Sequence, residues 1–319
     1  MTNNYEWYPG HMTAAIRMMR ESLSQVDLVI ETADARIPQA SRNPDIDDLC
    51  RNKARLLVLC KADLSDPNAL KTWTAHYRRE GLTVTAVNAR SAGSKKALLN
   101  AVNEASREKR ERNARRGIKN QAIRALVAGI PNVGKSTIIN LLAGRSAAKT
   151  GNKPGVTRGE QWIQAGSGLQ LLDSPGILWP KIGDPDAGEM LALIGSMNDD
   201  NLDETALACA LIRRLEQYYP DAVPQRYFSA TNVRADRSSK RPENDPVFPP
   251  AGHADETYEV LERIATVRGC IGEGGKLLVS RAAQILLDDF RSGKLGGILL
   301  ERMAGNNDDS MNSMGKEEA

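Results

Sequence analysis

The segment Gly129-Ile-Pro-Asn-Val-Gly134-Lys135-Ser136 constrains this chain more than any other stretch of it. It matches G-x-x-x-x-G-K-[ST], a loop whose backbone N–H groups wrap a polyphosphate. The glycines permit that close wrap. Such a loop needs an apolar strand before it and a helix after it, because the helix N-terminus turns its donors and positive dipole end toward the same anion. Ala125-Leu-Val-Ala128 supplies the strand, and residues 136–143 have helical character. Lys135 is then expected at the β- and γ-phosphates and the Ser136 hydroxyl on Mg²⁺, with Asn132, Val133, Gly134 and Thr137 lining the same anion.

A second anchor follows at a suitable distance. Leu169-Gln-Leu-Leu-Asp173-Ser-Pro-Gly176 is an apolar strand that ends in D-x-x-G. Asp173 is placed to organise the Mg²⁺ shell, and the Gly176 N–H to meet the γ-phosphate. Between the anchors, Lys153-Pro-Gly-Val-Thr157-Arg158 offers Thr157 as a second hydroxyl for Mg²⁺. Loss of the γ-phosphate would release Thr157 and Gly176 together, an order–disorder switch.

Upstream, the apolar run Leu56-Leu-Val-Leu-Cys60 ends in Cys60-Lys61-Ala62-Asp63. This resembles N-K-x-D, in which the aspartate accepts hydrogen bonds from guanine's ring N–H and exocyclic amine while the lysine stem covers the base. Cys60 stands where asparagine is expected. A thiol is a weak donor and acceptor, so one base or loop-tethering bond is lost, at a cost of about 1 kcal/mol. Asn88-Ala89-Arg90 closes another short strand and would add a backbone contact to the base. In an ordinary Ras-like order the base-reading element follows the phosphate loop; here it comes some seventy residues earlier.

Strands are expected at 26–33, 56–60, 82–87, 125–128, 161–164 and 169–172, the last two as a hairpin. Helices are expected at 12–25, 67–80, 94–112 and 136–143. Short apolar strands alternating with helices imply an α/β fold with a mostly parallel, doubly wound sheet. After about residue 180 the chain turns helical, at 186–219, 256–268 and 275–291, interrupted by a polar, proline-containing stretch from Ser229 to Asp255. The expected organisation is a nucleotide-binding domain over 1–180, a helical domain over 181–303 and a disordered tail over 304–319.

Composition narrows the setting. A chain of 319 residues buries a full core and accommodates two domains. Its four cysteines are far apart and include no C-x-x-C pair, which fits reduced thiols rather than a disulfide framework or a zinc site. No apolar run reaches the roughly 20 residues that span a membrane, and residues 1–9 have neither a secretion-signal core nor an Arg-rich transit face. A cytoplasmic protein without a membrane partner is expected; the oligomeric state stays open. Net charge is only +3, but residues 106–124 carry eight basic and two acidic side chains, a local +6. Such a cluster suits RNA phosphates, or else is a solvated helix face with Glu108 paired to Arg112. Arg263, Arg268, Lys276, Arg281, Arg291 and Lys294 are further candidates for phosphate contact. No aromatic residues are interleaved, which favours folded RNA over single strands.

These motifs, in this order, resemble the circularly permuted GTPases of the YlqF/YawG family. Further marks are Tyr8-Pro-Gly-His-Met12 and Asp34-Ala-Arg-Ile-Pro38 near the start, and Arg268-Gly-Cys270, Gly274-Gly275 and Asp289-Phe-Arg-Ser-Gly-Lys-Leu-Gly296 near the end. Cys60 departs from the family pattern. The resemblance covers nearly the whole chain and implies a circularly permuted P-loop GTPase domain followed by a helical RNA-binding domain. It implies binding of GTP and GDP with Mg²⁺, hydrolysis that is slow until stimulated, and GTP-dependent association with rRNA and the assembling large ribosomal subunit. Ras-like enzymes place a water-orienting glutamine after D-x-x-G; Ile177 stands there instead. The resemblance points to His11 as the replacement, and Asn132 matches GTPases whose phosphate-loop asparagine helps bind K⁺. The competing reading is an RNA-tethering module whose site senses the nucleotide with almost no turnover. A small-molecule kinase fits less well, given Lys61 and Asp63.

Overall fold

The computed structural model describes residues 21–118, 121–148, 161–166, 168–173, 184–197, 203–229 and 254–303. The elements alternate as the sequence requires: β1 (Leu28–Asp34), α1 (Pro44–Leu49), β2 (Ala54–Cys60), α2 (Pro67–Arg79), β3 (Thr83–Val87), α3 (Ser94–Ala105), α4 (Arg107–Arg115), β4 (Ile123–Gly129), α5 (Lys135–Ala143), β5 (Gln161–Gln164) and β6 (Leu169–Asp173). Among the described residues four α-helices follow: α6 (Pro185–Leu193), α7 (Glu204–Tyr218), α8 (Ala254–Val267) and α9 (Val279–Arg291).

The strands form one sheet in the order β3-β2-β1-β4-β6-β5, parallel except for the β5–β6 hairpin. All seven residues of β1 are buried, as expected of a central parallel strand covered on both faces. On one face Leu98 and Val102 of α3 and Ile138, Ile139 and Leu142 of α5 share a core with Leu28, Ile30, Val58 and Val127. On the other, Trp73 and Tyr77 of α2 pack with Leu57 and Leu59, and Ile46 of α1 with Val29 and Leu126. β4, which feeds the phosphate loop, is the fourth strand in the chain, yet it lies in the sheet's interior between β1 and β6. The strands that carry the base-reading residues precede it in sequence and lie to one side. This is the permuted arrangement of the doubly wound fold.

Several boundaries differ from expectation, for local reasons. The expected helix over 94–112 is two helices, because Ser106 turns its hydroxyl back to the Val102 carbonyl at 2.7 Å and ends the first. The stretch 186–219 holds α6 and α7; Gly195, at φ 74°, follows the first, and the Asp203 side chain caps the second. α9 starts at Val279 rather than 275, after the left-handed pair Gly274-Gly275. The short α1 is not among the expected helices, although Asn43-Pro44-Asp45 is a sound start signal: the Asn43 side chain accepts from the Asp45 N–H and proline occupies the first turn.

The helical region does not stand apart from the sheet. Its core, with Leu191, Leu211, Ile212, Leu261 and Leu286, continues into Ile37 and Ala40 beyond β1 and into Ile130 and Val133 of the phosphate loop. Beyond α9 the chain returns to the sheet. Leu299 is buried with Leu57, Leu59 and Trp73, and the Trp73 indole N–H donates to the Glu301 carbonyl at 3.1 Å. All four cysteines are free and buried, in accord with the expectation of reduced thiols. Among the described residues no helix is long and apolar enough to cross a membrane.

Candidate nucleotide site

The site is built by strand register. Asp34 is paired with Cys60, Cys60 with Val87, Thr32 with Gly129, and Val127 with Asp173. The carboxyl ends of β1, β2, β3, β4 and β6 therefore converge on one edge, where doubly wound sheets bind their ligands. That single edge brings together the phosphate loop, Asp173, the Cys60–Asp63 turn and Asn88-Ala89.

The phosphate loop leaves β4 at Gly129, where a Cβ would lie 2.2 Å from the Thr32 hydroxyl oxygen. Only glycine lets the strand end pass Thr32, whose hydroxyl donates to the Ala128 carbonyl at 3.0 Å. Asn132 (φ 61°) and Gly134 (φ 112°) are left-handed and turn the loop into α5. Val133 is fully buried in the core shared with the helical region, so its contribution to an anion is its backbone N–H. Lys135 and Ser136 open α5, and Thr137 is exposed on its first turn.

The Lys135 ammonium donates to Asp173 Oδ1 at 2.6 Å, and both side chains are buried. The two sequence anchors thus meet directly. The donors on offer at this junction, a Ser136 hydroxyl and an Asp173 carboxylate beside a phosphate cradle, are hard oxygens. Mg²⁺ takes one or two such protein ligands and completes its shell with phosphate oxygens and water. Among the described residues there is no cluster of three or more His, Cys, Asp or Glu that could hold a metal by itself.

The Asn132 side chain, expected as a K⁺ ligand, donates its amide N–H to the Gly195 carbonyl at 2.6 Å. Gly195 lies just beyond α6, so the phosphate loop is tied directly to the helical region. Arg291 of α9 holds the same corner by donating to the Leu193 and Ala192 carbonyls.

At the base end, Lys61 is left-handed (φ 57°) and opens a tight turn, Ala62–Leu64, that leaves Asp63 exposed. The Lys61 ammonium lies 2.9 Å from Asp34 Oδ2. Asp34 is fully buried and also receives two hydrogen bonds from the Arg36 guanidinium, at 2.9 and 2.8 Å, and one from the Arg36 backbone N–H at 3.1 Å. Burial alone would raise the Asp34 carboxyl; the Arg36 and Lys61 charges outweigh it and hold the group well below the ordinary carboxylate range. Cys60 is buried beneath the phosphate loop, where a Cβ on Gly134 would stand 3.3 Å from its own Cβ. Burial, reinforced by Asp34, pushes its thiol far above the usual range, so it stays a neutral packing group. Asn88 shapes its own turn: its side chain accepts from the Arg90 N–H at 2.9 Å and its carbonyl from the Ser94 hydroxyl.

His11, Thr157 and Gly176 lie outside the described residues, as does the tail 304–319. Of the basic residues considered for RNA, Arg268 and Lys294 are paired with Asp289, Arg263 lies over the Phe228 ring, and Arg291 is committed to backbone carbonyls. Lys276 and Arg281 are exposed. In α4, Glu111 pairs with Arg107 and Arg115, rather than Glu108 with Arg112. Arg112, Arg115 and Arg116 are exposed there. Sequence reasoning missed Asp34 as the partner of Lys61, although its position at a strand end in Asp34-Ala-Arg-Ile-Pro38 was a usable signal. It also missed Gly195, which is only a backbone acceptor and carries no such signal.

Comparison with known proteins agrees with this fold. A family model described as 50S ribosome-binding GTPase matches residues 124–225. The ribosome biogenesis GTPase A of Bacillus pumilus is 38% identical over 297 residues, covering 93% of this chain and 98% of that protein. The protein of the same name from Thermotoga maritima is 28% identical over 296 residues, covering 93% and 94%. Among solved structures, GNP-bound YlqF from T. maritima shares the fold with a TM-score of 0.59 at 24% identity, over 91% of this chain and 98% of that one. With a permuted sheet, a phosphate loop joined to its D-x-x-G strand and a relative this similar over nearly its whole length, the chain belongs to the ribosome biogenesis GTPase A family.

Proposed function

We propose that this GTPase acts on the assembling large ribosomal subunit and that its nucleotide state sets its hold on ribosomal RNA. The observation that carries the reading is the bond from Asn132 of the phosphate loop to the Gly195 carbonyl of the helical region. A loop that senses phosphate and is bonded to a second structural unit is suited to passing nucleotide state outward. Residues 1–180 are assigned to the GTPase domain and 181–303 to an RNA-binding domain. The exposed arginines of α4, with Lys276 and Arg281, supply positive charge for RNA phosphates without sequence readout. The names of the family model and of the relatives support the ribosomal partner.

Lys135 is assigned to the β- and γ-phosphates, and Ser136, Thr157 and Asp173 to Mg²⁺. Bound Mg²⁺ neutralises charge that develops on the transferring phosphoryl group. Lys61 and Asp63 read guanine, with Cys60, Ala62, Asn88 and Ala89 forming the walls. Gly176 meets the γ-phosphate, and His11 positions the attacking water. The Asn132 side-chain oxygen is assigned to K⁺, which would stand in for an arginine finger. The protein is assigned to the cytoplasm.

The deciding experiment is co-sedimentation with purified ribosomal subunits in GDP and in a non-hydrolysable GTP analogue, with phosphate release measured alongside. Nucleotide-dependent recovery with the large subunit, and faster turnover in its presence, is the expected result. Equal recovery in both nucleotides with unchanged turnover would overturn it.

A further inference from the structure

The turn that reads the base is held from behind by the last described stretch of the chain. The Ile298 N–H donates to the Leu64 carbonyl at 2.9 Å, and the Leu300 N–H donates to the Arg36 carbonyl at 2.8 Å. A Cβ on Gly297 would lie 2.7 Å from the Ser65 carbonyl oxygen, and one on Gly293 would lie 2.6 Å from the Leu64 side chain. These contacts reach both supports of the guanine-reading pair. Leu64 and Ser65 continue the turn that presents Asp63, while Arg36 fixes Asp34, which holds Lys61 at 2.9 Å. Ser65 closes the frame by donating its hydroxyl to the Ala35 carbonyl at 2.8 Å.

The stretch is in turn held by the helical region. The Tyr219 hydroxyl, just past α7, donates to the Leu299 carbonyl at 3.2 Å and accepts from the Leu299 N–H at 3.0 Å. Phe290 of α9 stacks beneath Arg36, 5.1 Å from guanidinium carbon to ring centroid. We propose that residues 293–301 are a positioning element for guanine selection, which makes base recognition depend on docking of the helical region. The mechanism is preorganisation: hydrogen bonds to a base discriminate only if their donors and acceptors are fixed before the ligand arrives. A turn whose own backbone is bonded and packed by the returning segment cannot shift independently of it. This rests on the assignment of Lys61 and Asp63 as base readers.

The test measures affinity for GDP, inosine diphosphate and ADP by competition against a fluorescent GDP analogue. Inosine lacks the exocyclic amine, so the GDP-to-inosine ratio reports how well Asp63 is placed; ADP reports phosphate binding alone. Two variants are compared with the full-length wild type. Gly297→Ala pushes a methyl group against Ser65, and Tyr219→Phe keeps the ring while removing both bonds to Leu299 and the 3.4 Å contact of its hydroxyl with Asp66 Oδ2, all of which tie the helical region to this corner. The expected result is that each lowers the GDP-to-inosine ratio at least threefold and leaves ADP affinity unchanged. A merely destabilising substitution would lower all three affinities together. An unchanged ratio in Tyr219→Phe overturns the proposal whether or not Gly297→Ala folds. A wild type that binds GDP and ADP equally well would instead overturn the assignment of the base readers.

Discussion

The Lys135 ammonium lies 2.6 Å from the Asp173 carboxylate, a buried ion pair that joins the phosphate loop to the end of β6. If Lys135 holds the phosphates as proposed, its ammonium, with three donors, serves both the phosphate oxygens and this carboxylate. Lys135→Ala should lower GDP affinity at least tenfold, because a charged hydrogen bond contributes roughly 1.5–3 kcal/mol. It should also destabilise the fold by roughly 3 kcal/mol or more, since Asp173 is left buried without its partner. Asp173→Asn should bind GDP nearly as well as wild type yet lose the Mg²⁺ dependence of GTP binding. Titration with fluorescent nucleotides at several Mg²⁺ concentrations checks both variants.

In the proposed base-reading element, Cys60 stands where N-K-x-D has an asparagine amide. Cys60→Asn should tighten guanine nucleotides by about fivefold, the equivalent of one recovered neutral hydrogen bond near 1 kcal/mol. Cys60→Ala should leave affinity within twofold, because the buried thiol makes only a weak contact with the Val58 carbonyl at 3.7 Å. A looser Cys60→Asn would mean that the space beneath Gly134 is too tight for the larger side chain.

The sheet and the phosphate edge were legible in the sequence because they rest on local signals. Each strand is a short apolar run, and Cys60 and Asp173 end such runs while Lys61, Asn88 and the phosphate loop follow directly on them. The inverted motif order announced the permuted sheet, as the order β3-β2-β1-β4-β6-β5 bears out. What could not be read was everything that depends on residues distant in sequence. Nothing near Glu301 indicates that its carboxylate caps the backbone of Gln39 and Ala40. Nothing near Arg268 indicates that Asp289, 21 residues on, claims it. Composition marks such side chains as surface charge available to RNA, and tertiary pairing withdraws them.

Asn132 offers a substitution that isolates a side chain from a backbone. At φ 61° most residues would be strained, whereas glycine is not. Asn132→Gly therefore keeps the loop and deletes the amide. It should cost about 1 kcal/mol of stability through the lost bond to Gly195. It should also erase any advantage of KCl over NaCl in GTP hydrolysis at equal ionic strength. If the wild type shows no such advantage, the K⁺ assignment is removed.

With Ile177 following Gly176, the chain lacks a side chain at that point to orient water. His11→Ala should slow GTP turnover about a hundredfold, in the usual range for losing a general base. GTP affinity should stay within twofold, because the imidazole is assigned to the attacking water and not to the nucleotide. Single-turnover phosphate release and equilibrium binding separate the two. Equal turnover in the variant would assign the water to another group.

Glu301 makes a pH-dependent contribution that can be isolated. Burial pushes its carboxyl from 4.5 up to about 7, and Asp186 adds to the rise; the Gln39 and Ala40 N–H groups and Arg214 oppose it. Its folded value lies above its unfolded one, so between these values the folded chain holds more protons than the unfolded chain. Stability from this group is therefore full below about pH 4.5 and declines as pH rises through 7. Glu301→Gln keeps a carbonyl oxygen for the two backbone donors and does not titrate. The stability of wild type minus that of Glu301→Gln should fall by up to roughly 3 kcal/mol between pH 5 and pH 8. Solvent reaching the partly exposed side chain reduces that figure. Urea unfolding of both proteins at the two pH values measures it, and other titrating groups cancel in the difference. A difference that does not change with pH would show that the carboxylate is already ionised at pH 5, and hence that burial at this junction costs it little.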